Sequence, residues 1–296
     1  MIYNLGSINI DHVYRVPHLP APGETLAATH YTVGLGGKGA NQSVAAARAG
    51  ARVLHIGAVG AEGVWARDRI AGYGVDVAQI AVLPVPTGHA IITVDPEAEN
   101  SIVIFSGANQ ALDLAAVQAA LAAIGPADTL LVQNETAHAP AAAALARGRG
   151  ARVICSAAPF DLATVRAMLP HTSILVLNAV EADQLCAALG CSLDQVPVPE
   201  LLVTRGKDGA KWMSNATGAR AAVAALKVQA VDTTGAGDTF AGYFAAALDA
   251  GQTPAQALTL AAAAAALKVT KAGTADAIPA LAEVTEFLSS ARNKAL

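Results

Sequence analysis

Aromatic side chains are scarce in this 296-residue chain: Phe, Trp and Tyr together make up 4% of it. That shortage argues against an aromatic-lined recognition surface and leaves the core to small aliphatic side chains. Charge is also sparse, at 14% of residues, with a formal net charge of −4 and no block of lysine or arginine. A nucleic-acid partner, which needs a basic patch or stripe, is therefore not expected. The three cysteines, Cys155, Cys186 and Cys191, are odd in number and lack metal-ligand spacing. They read as reduced thiols in a cytoplasmic protein, neither a disulfide framework nor a zinc site. No membrane span is expected either, because the alanine run at 261–266 is short and ends in Leu267-Lys268, as a buried helix would. The opening Met1-Ile2-Tyr3-Asn4-Leu5-Gly6 has no basic segment and reads as a first strand, not a signal peptide.

What the chain does have is length for a deep single-domain core and a hydrophobic content of 54%. Apolar runs at 2–5, 53–59, 130–132, 152–155, 174–177 and 201–204 have the length of buried strands. Helical stretches around 40–49, 62–73, 113–124, 138–148, 161–168 and 181–189 separate most of them. Strands spaced by helices need crossover connections, so the pattern predicts an α/β fold with a mainly parallel sheet covered on both faces. Ligands on such sheets gather at the carboxyl ends of the strands.

Two stretches break this rhythm. Residues 25–34 alternate polar and apolar, and so do 88–105, which read as a hairpin of 90–94 and 101–105 around Asp95-Pro96-Glu97. Together they predict a small second sheet, from segments at about 10–34 and 86–107, within one domain spanning 1–296. That sheet is either a lid over a site or a pair of surface hairpins. Further on, Gly251 stops a helix, and Thr253-Pro254-Ala255-Gln256 opens another with a capping box and a first-turn proline, running to about Lys271.

The most informative stretch is Asp232-Thr233-Thr234-Gly235-Ala236-Gly237-Asp238, between an apolar run ending at Val231 and a helical run from Thr239 to Ala250. Asp238 thus stands at a helix N-terminus, behind small residues that leave backbone N–H groups uncovered. Free donors and the helix dipole attract anions there. A fixed carboxylate beside them can take a proton from a hydroxyl while the amides hold a phosphoryl group, which is half of a kinase site. A plain helix entry with Asp238 as a first-turn acid is the alternative.

Gly34-Leu35-Gly36-Gly37-Lys38-Gly39-Ala40-Asn41 formally contains GxGxxG. It does not follow the first strand of a βαβ unit, and no acid ends the next strand, so a nicotinamide-binding fingerprint is not expected. Nor is it a Walker A loop, since Gly39 follows Lys38 where Ser or Thr is needed. As polar chemistry, the glycines permit close approach, Lys38 is a cationic donor, and Asn41 offers donor and acceptor from a helix's first turn. That set suits a polyhydroxylated ligand; a glycine turn with a solvated lysine is the alternative. His12, His18, His30, His55, His89, His138 and His171 show no ligand spacing and read as structural or surface residues, and Trp65 and Trp212 as packing.

Jointly, Asn9-Ile10-Asp11, Gly36 to Asn41 and Asp232 to Asp238 resemble the paired signatures of the ribokinase-like (PfkB-type) sugar kinases. Pro22-Gly23-Glu24-Thr25, Asn178-Ala179-Val180-Glu181 and Thr204-Arg205-Gly206-Lys207-Asp208-Gly209 fit the same family, and the resemblance runs in order from about residue 4 to 279. It implies a three-layer α/β/α domain with a mainly parallel sheet and a β lid. It also implies ATP-dependent phosphorylation of the 5-hydroxyl of a sugar such as D-ribose. By resemblance, Asp238 is the general base, and the amides from Gly235, Ala236 and Gly237 to Asp238 form the anion hole. Asn9, Asp11, Gly37, Lys38, Gly39, Asn41 and Glu135 bind the sugar. Asn178 and Glu181 lie near the triphosphate and organise magnesium, while Thr204 to Gly209 and Gly237 line the ATP site. Backbone around Asp232, Thr234, Lys268, Lys271 and Gly273 holds an activating potassium ion, and the lid forms a homodimer. Phosphoryl transfer needs alignment and neutralisation of spread negative charge more than covalent help, and these parts supply both.

The chain departs from the family pattern at Ser156-Ala157-Ala158-Pro159, at Ala262 near the adenine position, and at Ala277 in the cation loop. The alternatives within the family are a kinase for another sugar or for a nucleoside; scarce aromatics favour a small furanose over a base that wants stacking. A non-catalytic sugar sensor is the alternative outside enzymology, and the presence of Asp238 with its glycines argues against it.

Overall fold

The computed structural model describes residues 1–97 and 99–293. Its strands are β1 (Ile2–Leu5), β2 (Asn9–Arg15), β3 (His30–Gly36), β4 (Val53–Gly60), β5 (Asp76–Leu83), β6 (Gly88–Val94) and β7 (Asn100–Phe105). After these come β8 (Thr129–Gln133), β9 (Arg152–Ser156), β10 (Ile174–Asn178), β11 (Glu200–Thr204), β12 (Ala210–Ser214) and β13 (Arg220–Val223). The helices are α1 (Lys38–Arg48), α2 (Val64–Gly72), α3 (Leu114–Ala120), α4 (Ala139–Gly148) and α5 (Leu162–Met168). They continue with α6 (Ala179–Leu189), α7 (Ala236–Asp249), α8 (Pro254–Lys268) and α9 (Leu281–Asn293).

The large sheet runs β13-β12-β11-β10-β9-β8-β1-β4-β5, parallel from β5 to β11 and antiparallel over its last two pairs. Its central strands bury both faces; every residue of β4 and of β8 is buried. Successive side chains point to opposite faces. Ile2, Leu131, Ile154 and Leu202 accordingly enter one core with α1, α2, α7, α8 and α9. Tyr3, Leu130, Val132, Val153, Cys155, Leu201 and Val203 enter the other, with α3 to α6. These are the three layers expected, and no helix is long and apolar enough to cross a membrane among the described residues.

The small sheet has the order β3-β2-β6-β7, with β2 and β6 parallel at its centre. Its second hairpin lies where the alternation predicts it. The first strand pair is shifted: β3 begins at His30, not near 25, because its register is set by β2, from Arg15↔His30 to Asn9↔Gly36. Helix α8 stops at Lys268, short of the expected Lys271, as its chain closes into a turn with Lys271 N–H donating to the Lys268 carbonyl.

Two features of this architecture position a site. Strand β1 sits where the sheet order reverses, flanked by β8 and β4, so a crevice opens beyond its carboxyl end. Helix α1 enters that crevice closely: a Cβ on Gly39 would stand 2.3 Å from the Gly6 carbonyl carbon, and one on Gly37 (φ 93°) 2.6 Å from the Ser7 oxygen. Helix α7 then packs on α1 through Gly242, where a Cβ would stand 2.5 Å from that of Ala45. The N-terminal turns of α1 and α7 therefore face each other across the crevice.

Candidate active site

Asp238 is the third residue of α7, whose N-cap is Gly235 in the left-handed conformation (φ 72°), with no side chain capping the helix. Among the described residues the Gly237 and Asp238 amides have no acceptor, while Ala236 N–H donates to the Thr233 carbonyl at 3.2 Å. The Asp238 carboxylate accepts from Asn41 Nδ2 at 3.1 Å and from Gln42 Nε2 at 3.0 Å, both on α1. Burial pushes its carboxyl above the usual carboxylate range, and the Lys38 charge and the two amide donors oppose that rise.

Behind Asp238 runs a buried polar chain. Gln133 Nε2 donates to Gln42 Oε1 at 2.7 Å and to Asn4 Oδ1 at 3.0 Å. Asn4 Nδ2 donates to Ser43 Oγ at 2.7 Å and to the Gly39 carbonyl at 2.8 Å. His55 closes the chain, 2.8 Å from Ser43 Oγ and 3.0 Å from the Gly6 carbonyl. Burial holds its imidazole down to about 4, so it is neutral at pH 7. Sequence reasoning left Asn4, Ser7, Gln42, Ser43 and Gln133 unassigned and gave His55 a structural role; isolated amides in an alanine-rich helix carry no pattern.

On the sugar side, Asp11, Lys38 and Glu135 converge. Ser7 Oγ donates to Glu135 Oε2, and that hydroxyl also accepts from Gly39 N at 3.2 Å. Asp11 lies over Gly36, where a Cβ would come within 2.2 Å of its carboxylate oxygens, so a side chain there would displace that carboxylate. Burial first and Glu135 second push the Asp11 carboxyl up to about 6, against Lys38. Asn9 Oδ1 accepts from the buried Asn109 Nδ2 at 2.8 Å, and its own amide has no acceptor among the described residues. The buried Asn41 Oδ1 has no partner among the described residues. Several acceptors, a cation and an unpaired buried oxygen are what a polyhydroxylated ligand would satisfy.

On the other side of Asp238 lies a cavity of about 490 Å³. Thr204, Gly206, Lys207, Gly209, Ala236 and Gly237 line it, and Phe240, Ala262, Ala266 and Val269 give it apolar walls. An apolar chamber leading to open helix amides suits a base at one end and phosphates at the other. Arg205, Asp208, Asn178 and Glu181 are not part of this lining. Asn178 and Glu181 instead cap α6 reciprocally, Asn178 N–H donating to Glu181 Oε2 at 2.8 Å and Glu181 N–H to Asn178 Oδ1 at 2.9 Å. Among the described residues that leaves Glu181 Oε1 without a donor, close to the carboxyl end of β10. No cluster of three metal-ligating residues exists among the described residues. Magnesium, which is commonly held by phosphates, water and one or two carboxylates, does not need one.

Within the set expected to hold potassium, the Asp232 carbonyl already has a cationic donor. Asp232 Oδ1 accepts from Thr234 N and Oδ2 from Gly273 N, each at 2.9 Å. Although burial raises it, these amides and the Lys268 charge hold the Asp232 carboxyl below its usual range. Lys268 was expected to offer its backbone carbonyl, but its fully buried side chain turns in, and Nζ donates to the Asp232 carbonyl at 3.0 Å. Lys271 pairs outward with Glu283 at 2.9 Å.

A carboxylate set among open helix amides, with a polar pocket on one side and an apolar-walled cavity on the other, marks a small-molecule kinase. The model of the pfkB family carbohydrate kinases matches residues 1–281, and the chain belongs to that family. It is 38% identical over 301 residues to the ribokinase of Haemophilus influenzae, covering 97% of this chain and 98% of that one. The solved ribokinase of Thermotoga maritima matches with a TM-score of 0.87 at 31% identity, over 98% of this chain and 99% of that one. The Arabidopsis thaliana ribokinase, solved with ribose and ATP, matches with a TM-score of 0.84 at 28% identity, over 97% and 98%. The expected ribokinase-like α/β fold and carbohydrate-kinase class are thus borne out.

Proposed function

We propose that this enzyme transfers the γ-phosphoryl group of ATP to the 5-hydroxyl of D-ribose, giving D-ribose 5-phosphate and ADP. The observation that carries the reading is Asp238, held by Asn41 and Gln42 between the polar pocket and the apolar-walled cavity, beside the free Gly237 and Asp238 amides. The likeness to ribokinases supports the choice of sugar. A kinase for another sugar or for a nucleoside is the alternative within the family.

In this mechanism Asp11, Glu135, Asn9, Lys38 and Asn41 bind the sugar hydroxyls, with the backbone of Gly37 and Gly39 close beneath. Asp238 accepts the proton of the 5-hydroxyl as its oxygen bonds to phosphorus, and ADP leaves with the electrons of the broken P–O bond. The Gly235–Asp238 turn donates its free amides to the charge that develops on the phosphoryl oxygens. A carboxylate of modest basicity is sufficient, because the hydroxyl becomes acidic only as the new bond forms. Magnesium, held by the triphosphate and by Glu181 and Asn178 partly through water, would neutralise phosphate charge. Potassium has no place in the proposal, since Lys268 Nζ already occupies the Asp232 carbonyl.

The small sheet acts as a lid that excludes water from the reacting phosphate. It leaves Ile102, Val103, Ile104 and Phe105 of β7 each at least half exposed, a surface that suits burial in a homodimer. An ATP-using enzyme with three free thiols fits the cytoplasm.

The test is ADP formation with ATP and magnesium on ribose, deoxyribose, fructose, adenosine and pseudouridine, beside Asp238→Ala. Turnover of ribose that vanishes in the variant supports the proposal. Turnover of a nucleoside or ketose alone would keep the mechanism and replace the substrate. No turnover with ribose still bound would favour a sensor.

A further inference from the structure

The buried ammonium of Lys268 is unused by the chemistry above, yet it lies under the loop that shapes the phosphoryl site. It is the last residue of α8, its side chain is 0% exposed, and Nζ donates to the Asp232 carbonyl at 3.0 Å. That carbonyl opens the Asp232–Asp238 loop, and the two Asp232 carboxylate oxygens tie the loop to Thr234 and Gly273. One positive charge thus sits at the point from which the loop turns toward the Gly237 and Asp238 amides.

A lysine buried without full solvation persists where its charge is compensated, and the Asp232 carboxylate supplies that compensation. A second cation on the Asp232 carbonyl would stand a few ångströms from this ammonium and be repelled by it. Of the other carbonyls of the set, that of Lys268 already accepts from Lys271 N at 3.1 Å. An alkylammonium and a potassium ion carry the same charge, are close in size and bind the same carbonyl oxygens.

We propose that Lys268 is a built-in replacement for the monovalent cation: a positioning residue whose tethered ammonium holds the Asp232–Asp238 loop and makes the enzyme independent of potassium. The idea rests on the α7 N-terminus being the phosphoryl site.

The experiment compares the wild type, Lys268→Ala and Lys268→Met in tetramethylammonium buffer, with potassium or ammonium added. Initial rates use whichever sugar the wild type phosphorylates; magnesium-ADP affinity by calorimetry and thermal unfolding need no sugar. The expected wild type changes by less than about twofold in any of these on adding potassium, below ordinary coupling factors. Lys268→Ala, with room in place of the side chain, is expected to be slow without a cation and restored at least about fivefold by potassium or ammonium. Its unfolding temperature should rise with the same ions. Lys268→Met, which fills the space without charge, should be slow and unresponsive.

Potassium activation of the wild type by about fivefold or more overturns the proposal. So do folded variants as fast as wild type without potassium, or a folded Lys268→Ala that neither ion restores. If both variants fail to fold, the wild-type rate and affinity titrations decide alone. Failure of every sugar to turn over would refute the proposed function, while ADP affinity with and without potassium would still test Lys268.

Discussion

Replacing Asp238 by Asn isolates the base, because the surroundings can accept the new group. Asn41 and Gln42 both donate to the present carboxylate, at 3.1 and 3.0 Å. An Asn keeps one acceptor for Gln42, whose own oxygen is committed to Gln133. Its new amide would face Asn41, and Asn41 can turn over, since its Oδ1 has no other partner among the described residues. Burial already disfavours the charged carboxylate. Two neutral hydrogen bonds therefore replace two charged ones without a buried charge, and stability should move by no more than about 1 kcal/mol. Loss of general-base function should lower kcat by about 10² to 10⁴, or roughly 3 to 5 kcal/mol of transition-state stabilisation. ADP affinity should hold or improve, because a negative charge beside the phosphates is gone. The assay is steady-state ADP formation with calorimetric ADP binding and thermal unfolding alongside. A folded variant retaining kcat within about tenfold of wild type would refute the base assignment.

Stability should follow pH through two groups of opposite sign. His55 has its folded value depressed to about 4; its contribution, about 3 kcal/mol, is complete above the unfolded value near 6.5 and lost as pH falls toward 4. His55→Gln should flatten denaturant-unfolding free energies over that window, and an unchanged slope would count against the buried neutral imidazole. Asp11 is raised to about 6, so its ionised form weakens the fold above that pH and not below about 4. Asp11→Asn should then gain stability at pH 8 relative to pH 4. On the small sheet, Ile102→Asp together with Val103→Asp puts charge on both faces of β7, where these side chains are 52% and 64% exposed. Sedimentation should show a dimeric wild type and a monomeric variant; a monomeric wild type would end the dimer proposal.

The parallel strands were legible because burial on both faces turns them into unbroken apolar runs, as in Thr129–Gln133. The 90–94 and 101–105 hairpin was legible from two short runs rich in β-branched residues on either side of the Asp95-Pro96-Glu97 turn. Strands β12 and β13 were not: Ala-Lys-Trp-Met-Ser is short, mixed and paired antiparallel, and β13 beside it forms the edge with four residues. Nor was β5, another edge strand with much of its surface exposed. At the site, glycines and acids stood out because close backbone approach admits few other residues. The Gln42–Gln133–Asn4–Ser43–His55 chain was invisible because it joins three strands and a helix only after folding. The inward turn of Lys268 was hidden similarly, as its partner lies 36 residues away on another segment.

The lack of aromatics and the placement of the base are one fact. Asn41 and Gln42 reach Asp238 only because α1 and α7 approach through Ala45 and Gly242, side chains too small to hold the helices apart. In Gly242→Ala the added Cβ would stand 2.5 Å from Ala45 Cβ and 2.6 Å from the Gln42 carbonyl. Neither neighbour is a flexible tip, so one helix must move by roughly 1 Å, at a cost of about 1–3 kcal/mol in stability. The same shift would lengthen both hydrogen bonds to Asp238 and displace the base from the sugar hydroxyl. Misplacement on that scale is worth about 10²-fold in rate. Gly242→Ala should therefore remain folded at 25 °C and lose kcat far more than ADP affinity, because Phe240, which walls the cavity, is two residues from Gly242 and so on the opposite face of α7. A variant destabilised as expected, but with kcat intact, would show that the base does not depend on how closely the two helices meet.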